Sequence, residues 1–413
     1  MNASNRWTGR TSLALLSVAA LSACHDDHRV IDFAPTQIEY GLAVADFNGD
    51  GIADVVSART LYQPSSPVAA GTLYAYLHSA TAAAGFASPV TYAAGNEPLF
   101  LASADLNGDG LPDVVSASAY DGNLSIYLDS ATTPGTFGTP TVLAAPGASQ
   151  VVIADLNGDG KPDLLAADYS VHLFLQDATT PGTFLAPLGL SSGGANWVAV
   201  GDLNHDGMPD VVVTDATGVK VFFHVAPATG AAFGTPLTVF TQTANPFFSG
   251  ANLVAIGDFN GDGYLDLAIT DPGPPDSTPP SVYILLQDAA NPGSFLAPVA
   301  YSLPMGQVAQ TLTAADLNGD GRLDLVIGDE RGVNVLLASA TTPGTFGAAS
   351  YYATPYGAYQ VGIADVNGDG LPDIVTTNTS TAPLVAGVYT TQPGVLLQDA
   401  ANPGSFLALQ DLP

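Results

Sequence analysis

Basic residues are nearly missing from this chain. Eight Lys and Arg stand against 38 Asp and Glu, a formal charge of −30. That argues against a nucleic-acid partner, since phosphates are held by Lys and Arg. Glutamate is scarce too: only Glu39, Glu97 and Glu330 occur, so 35 of the 38 acids are aspartate. Such an imbalance favours short, turn-forming carboxylates with a local task, such as holding a hard cation. A single cysteine, Cys24, excludes an intrachain disulfide framework. The longest apolar run near the N-terminus, "LALLSVAAL" (13–21), is too short to span a bilayer. Hydrophobic residues make up 47 % of the chain, which excludes a disordered acidic tail as the source of the charge. No G-x-S-x-G elbow, H-E-x-x-H helix or phosphate loop is present.

What is present begins with a leader. Arg6 and Arg10 precede the apolar run, and "LSAC" (21–24) follows it, the order of a secretory signal. "LSAC" also resembles the lipobox of bacterial lipoproteins. That resemblance implies a signal peptide over 1–23, acylation of Cys24, and a tether over 24–32. It places the protein in a bacterial cell envelope, facing periplasm or exterior, with the membrane touched only through the anchor. Ordinary cleavage after Ala23 is the alternative. The mature chain then carries six basic and 38 acidic residues, a charge of −32.

From residue 33 onward the chain is a repeat. Nine residues recur seven times, as "DFNGDGIAD" (46–54), "DLNGDGLPD" (105–113), "DLNGDGKPD" (155–163), "DLNHDGMPD" (202–210), "DFNGDGYLD" (258–266), "DLNGDGRLD" (316–324) and "DVNGDGLPD" (365–373). Each motif lies between an apolar segment such as "WVAVG" (197–201) and a β-branched run such as "DVVVT" (210–214). A third apolar segment follows, then a Pro-Gly turn ending in Phe, then a fourth. Four short strands per unit of about fifty residues predict an all-β, seven-bladed β-propeller of four-stranded antiparallel blades over 33–413.

The segment before each motif supports radial packing. One and three residues before the first Asp stand mostly Ala or Gly, as in Ala45 and Ala43 or Ala364 and Gly362. Two and four before it stand mostly Val, Ile or Leu. Alternate strand residues face opposite ways, so one face is small and the other bulky, as inner strands crowded round an axis require. Separate, unclosed hairpins are the alternative. For closure, "SFLALQDLP" (405–413) is the favoured fourth strand of the last blade, with "DFAPTQIEY" (32–40) beside it or serving as tether.

Positions 1, 3, 5 and 9 of the motif offer only oxygen, which suits Ca²⁺ or Mg²⁺ rather than zinc or copper. EF-hand loops share this order and add a backbone carbonyl at position 7. The expected ligands, seventh-position carbonyls included, are Asp46, Asn48, Asp50, Ile52 and Asp54; Asp105, Asn107, Asp109, Leu111 and Asp113; Asp155, Asn157, Asp159, Lys161 and Asp163; Asp202, Asn204, Asp206, Met208 and Asp210; Asp258, Asn260, Asp262, Tyr264 and Asp266; Asp316, Asn318, Asp320, Arg322 and Asp324; Asp365, Asn367, Asp369, Leu371 and Asp373. Position 12 lacks the EF-hand glutamate, and Pro112, Pro162, Pro209 and Pro372 favour an extended exit. The loop therefore joins two strands. Asx turns without metal are the alternative.

The motif, the unit length and the Phe-Gly pairs at 137–138, 233–234 and 346–347 resemble FG-GAP/VCBS repeats, the family of the integrin α-chain propeller. The resemblance implies up to seven Ca²⁺, each between the first and second strands of a blade. The "GAP" portion is missing, so integrin ligand specificity does not carry over. His205, at position 4 of the fourth copy, reads as neutral.

Asp177, Asp288 and Asp399 recur in "QDA" and read as turn caps; His78 and His224 align with Gln176, Gln287 and Gln398 and read as structural. Ligand contacts are expected on the face opposite the motif loops, where Tyr62, Phe247, Phe248, Tyr356 and Tyr389 lie in or near irregular insertions. Phe100 and Trp197, each five residues before a motif, are expected to rim the channel. The reading that follows is a non-enzymatic, monomeric, surface-anchored propeller that binds a protein or glycan. A lectin with sites between blades, or a polysaccharide-degrading enzyme on a propeller, are the alternatives.

Overall fold

A computed structural model describes residues 36–62, 70–81, 85–167, 170–190, 194–225, 232–241, 253–271, 280–304, 308–354, 357–377 and 392–413. The expected leader over 1–23, Cys24 and the expected tether over 24–32 lie outside these residues. So do Phe247, Phe248, Tyr356, Tyr389 and the side chain of Tyr62.

Each repeat forms one sheet. Seven four-stranded antiparallel sheets follow in chain order, and within each the strands are also in order, so no strand crosses between blades. The first blade shows the plan: an inner strand Thr36–Ala45, then Asp54–Tyr62, Ala70–Tyr76 and an outer Val90–Ala94. The expected fourth strand of the last blade is Gln410–Asp411. "DFAPTQIEY" has a different place from the one expected: from Thr36 it is already the inner strand of the first blade, paired with Tyr62 through Asp54. Both ends of the ring are thus complete blades. The inner strands lie side by side, and that of the seventh blade, Val361–Ala364, meets that of the first.

The small and bulky faces interlock as the alternation predicts. A Cβ placed on Gly362 in the seventh blade would lie 2.4 Å from Val44 Cγ2 in the first. A Cβ on Gly201 in the fourth would meet Leu265 at 2.9 Å and Ile256 at 3.2 Å in the fifth. The bulky face of each inner strand therefore seats against the small face of the strand before it. The second strands, such as Asp113–Ser118 and Asp210–Asp215, are buried throughout, because neighbouring blades cover both of their faces.

Two sets of polar contacts stitch the wheel. Near the axis, Gln150 Nε2 donates to Val198 O (3.0 Å) while its Oε1 accepts from Val198 N (2.7 Å). At the rim, Tyr92, Tyr301 and Tyr352 accept from the backbone N–H of Phe137, Phe346 and Phe406 in the next blade, at 3.1–3.3 Å. The same ring pairs meet edge to face at 5.3–5.6 Å, a favourable aromatic geometry.

Candidate metal-binding loops

All seven motif loops join the inner strand of a blade to its second strand. They therefore share one end of the propeller. Two glycines make the turn possible. Gly49 and Gly51 have φ of +73° and +88°, a region that side chains with a Cβ rarely enter.

Each loop is wound around its own side-chain oxygens. In the first, Asp46 Oδ1 accepts from Gly49 N (2.7 Å) and Asp50 N (3.0 Å), and its Oδ2 accepts from Gly51 N (2.8 Å). Asn48 Oδ1 accepts from Asp50 N (2.8 Å), and Asp50 Oδ1 from Ile52 N (2.9 Å). The last two bonds recur in all six other copies, at 2.8–3.0 Å and 2.9–3.0 Å. Oxygens at positions 1, 3 and 5 thus cap the loop's own backbone N–H groups, while the position-5 residue itself remains exposed in every copy.

Position 9 plays a second part, which the motif alone did not disclose. Asp54, Asp113, Asp163, Asp210, Asp266, Asp324 and Asp373 are all fully buried. One oxygen accepts from the position-2 N–H, for example Leu156 N to Asp163 at 2.9 Å. The other accepts from the end of the third strand, as Gln176 N does at 2.7 Å. Burial pushes each of these carboxyls up to about 6, against the pull of those backbone N–H groups. The signal was its place: this Asp opens the second strand, where an acid is otherwise out of character.

Among the described residues, no three His, Cys, Asp or Glu side chains converge on a ready-made cage. The donor set fits a hard cation in chemistry nonetheless: carboxylates, a carboxamide and a backbone carbonyl, with no sulfur or imidazole.

An FG-GAP-like repeat model matches residues 46–116, 105–166, 164–213, 202–269, 258–327 and 316–376. The chain belongs to the FG-GAP-like repeat family. It is 29 % identical to human integrin alpha-7 over 106 residues, 25 % of this chain and only 9 % of that protein. Among solved structures it resembles an Agrocybe aegerita lectin that recognises non-reducing terminal N-acetylglucosamine, with a TM-score of 0.52, 19 % identity, and coverage of 77 % of this chain and 80 % of that one. A rhamnogalacturonan lyase gives 0.46 at 13 % identity, over 83 % and 70 %. At 19 % identity the likeness to the lectin shows the fold alone.

Neighbouring loops of this FG-GAP propeller touch. The position-7 side chain of one loop reaches position 4 of the loop before it: Ile52 toward Gly368, Leu111 toward Gly49, Met208 toward Gly158. In the fourth loop His205, at φ +61°, lies 4.9 Å from the Tyr264 ring of the fifth. His205 thus meets the next loop through a tilted ring contact at 42°, and the position-7 side chains join neighbouring loops. Gln176 joins two loops by donating to both Leu106 O and Pro162 O at 3.0 Å; Gln398 does the same to Leu317 O and Pro372 O. The repeat places these glutamines in register, but one partner of each comes from a different unit and so leaves no local signal.

Of the expected ligand-face aromatics, Trp197 is buried and Phe100 half-buried. Their rings meet edge to face at 5.5 Å, one in the second blade and one in the fourth. The pair packs across the axis rather than presenting an open face. At the rim, a groove of about 300 Å³ lies between the sixth and seventh blades, lined by Tyr351, Tyr352, Leu396, Phe406 and Leu407.

Proposed function

We propose that this FG-GAP protein is a calcium-stabilised, non-enzymatic propeller, anchored to a bacterial envelope through Cys24, that binds a protein or glycan. The oxygen-only donor set at positions 1, 3, 5 and 9, repeated in seven loops of one fold, carries the calcium half. Asp46, Asn48, Asp50, Asp54 and the Ile52 carbonyl would hold the ion in the first loop, and the equivalent residues in the other six. Bound there, a divalent cation supplies the positive charge that offsets the mutual repulsion of the loop carboxylates. The chain's own work is to hold those oxygens in place. Asp54 and its equivalents tie each loop to the third strand, and position-7 side chains tie each loop to its neighbour.

Calorimetric titration of chelator-stripped protein tests this reading. Up to seven ions should bind, and the melting temperature should rise with free calcium. No heat and an unmoved melting temperature would overturn it. Labelling with a radioactive fatty acid that is lost in Cys24→Ser supports the anchor; label retained in the variant refutes it. Turnover of any polysaccharide on a panel refutes the non-enzymatic part.

The groove beside Tyr351 and Tyr352 favours a second reading, a lectin with sites between blades. Aromatic faces suit the apolar face of a sugar ring. Binding on a glycan array that Tyr351→Ala abolishes would select it over a protein ligand.

A further inference from the structure

Six of the seven loops place Asn directly before Gly: Asn48, Asn107, Asn157, Asn260, Asn318 and Asn367. The fourth has Asn204 before His205. Asparagine is a thermally labile residue, and a following glycine, with no Cβ, leaves its own amide nitrogen open to the carboxamide carbon.

The loop geometry bears on both reacting groups. In all six Asn-Gly copies, the glycine N–H donates to Oδ1 of the position-1 aspartate at 2.6–2.8 Å. A carboxylate so placed can take the proton as the nitrogen attacks. The Asn Oδ1 accepts from the position-5 N–H at 2.8–2.9 Å, a donor poised for the charge that grows on that oxygen. In the fourth loop Asp202 receives Asp206 N and Gly207 N. Among the described residues no bond runs from residue 4 to Asp202, and the His205 ring lies tilted at 42° against that of Tyr264.

We propose that the six Asn-Gly pairs are sites of spontaneous covalent modification, and that His205 slows the same conversion in the fourth loop. The glycine nitrogen bonds to Asn Cγ and its proton passes to the position-1 carboxylate. The Cγ–Nδ2 bond then breaks, and ammonia leaves with that proton. A five-membered imide remains, which water opens at either carbonyl to give aspartate or isoaspartate. No electron is gained or lost. Aspartate keeps the oxygen at position 3 and adds a charge; isoaspartate lengthens the backbone by one carbon and breaks the register of the turn. The conversion itself does not depend on the metal reading.

The test is peptide mapping of the full chain held warm in mildly alkaline chelator buffer, with isoaspartyl methyltransferase as probe. Six loops should gain the mass of a carboxamide-to-carboxylate exchange and accept methyl groups. Asn204 should lag by about tenfold, the ratio that ~1.4 kcal/mol of barrier carries. His205→Gly should bring Asn204 level with the rest, in a loop whose six counterparts already fold with glycine. The proposal is overturned if the six stay intact while the urea-unfolded chain converts. It is overturned equally if Asn204 keeps pace in the natural chain or stays inert in His205→Gly.

Discussion

Gln360 of the seventh blade donates from Nε2 to Leu101 O in the second, at 2.9 Å, while its Oε1 accepts from Leu42 N in the first, also at 2.9 Å. One buried side chain thus spans the seam where the ring closes. No strand is shared across that seam, so closure rests on such contacts, on Ala53 N donating to Asp365 O at 3.2 Å, and on side-chain packing. Gln360→Ala leaves a buried donor and acceptor without partners. A loss of about 1–3 kcal/mol is expected, read as a lowered urea midpoint. A midpoint unmoved by the change would show that the seam is held elsewhere.

Positions 5 and 9 of one loop should separate by role. Asp163 is fully buried and accepts from Leu156 N and Gln176 N, so Asp163→Ala should cost roughly 2–5 kcal/mol even in chelator. Asp159 is exposed, so Asp159→Ala should leave chelator stability nearly unchanged and lower the calcium stoichiometry by one. Urea melts in chelator and calorimetry in calcium read the two effects apart. Equal losses in chelator would contradict the division of labour.

The wheel was legible in the sequence because its signal is repeated seven times. The Ala/Gly and Val/Ile alternation before each motif stated which face of the inner strand is crowded, and Gly362 against Val44 bears that out. The loops were legible as strand connections because Pro at position 8 denies a helix. What local reading could not give was any partner from another blade. Trp197 and Phe100 lie far apart in the chain, and only closure of the ring brings their rings together. The same holds for Tyr301 and Phe346, and for the two carbonyls that Gln176 joins. The N-terminal segment was misplaced for a related reason: "DFAPTQIEY" carries a Phe like those that precede the fourth strands, although Phe33 stands only 13 residues before its motif, and Thr36–Ala45 runs straight into that motif as an inner strand.

The seven position-9 carboxyls fix a pH dependence. Burial raises each from 3.8 to about 6 in the folded chain. Between those values the folded state binds more protons than the unfolded one, so stability falls as pH rises from about 4 to about 6. Asp177, Asp215 and Asp399 shift the other way, but their contribution is lost only as pH drops below the ordinary 3.8. In chelator, urea midpoints should therefore decline across that window. In calcium the trend should reverse, because a bound cation favours the ionised form. A midpoint that climbs with pH in chelator would contradict the burial argument.

Gly362 gives the most local test of radial packing. Its Cβ position falls 2.4 Å from Val44 Cγ2, closer than two carbon atoms can approach, and a tight 3.2 Å from Val44 Cβ. Val44 lies in the inner strand of the first blade, directly across the seam. Gly362→Ala must then push the two strands apart or force Val44 from its rotamer, at about 1–3 kcal/mol. Replacing Val44 by Ala in the same chain removes the clashing methyls and should restore part of the loss, since the two residues are in contact and their effects should not add. Urea melts of the two single variants and the double variant form the cycle. Strict additivity would mean that the faces do not interlock at the seam, and that closure depends on the polar contacts alone.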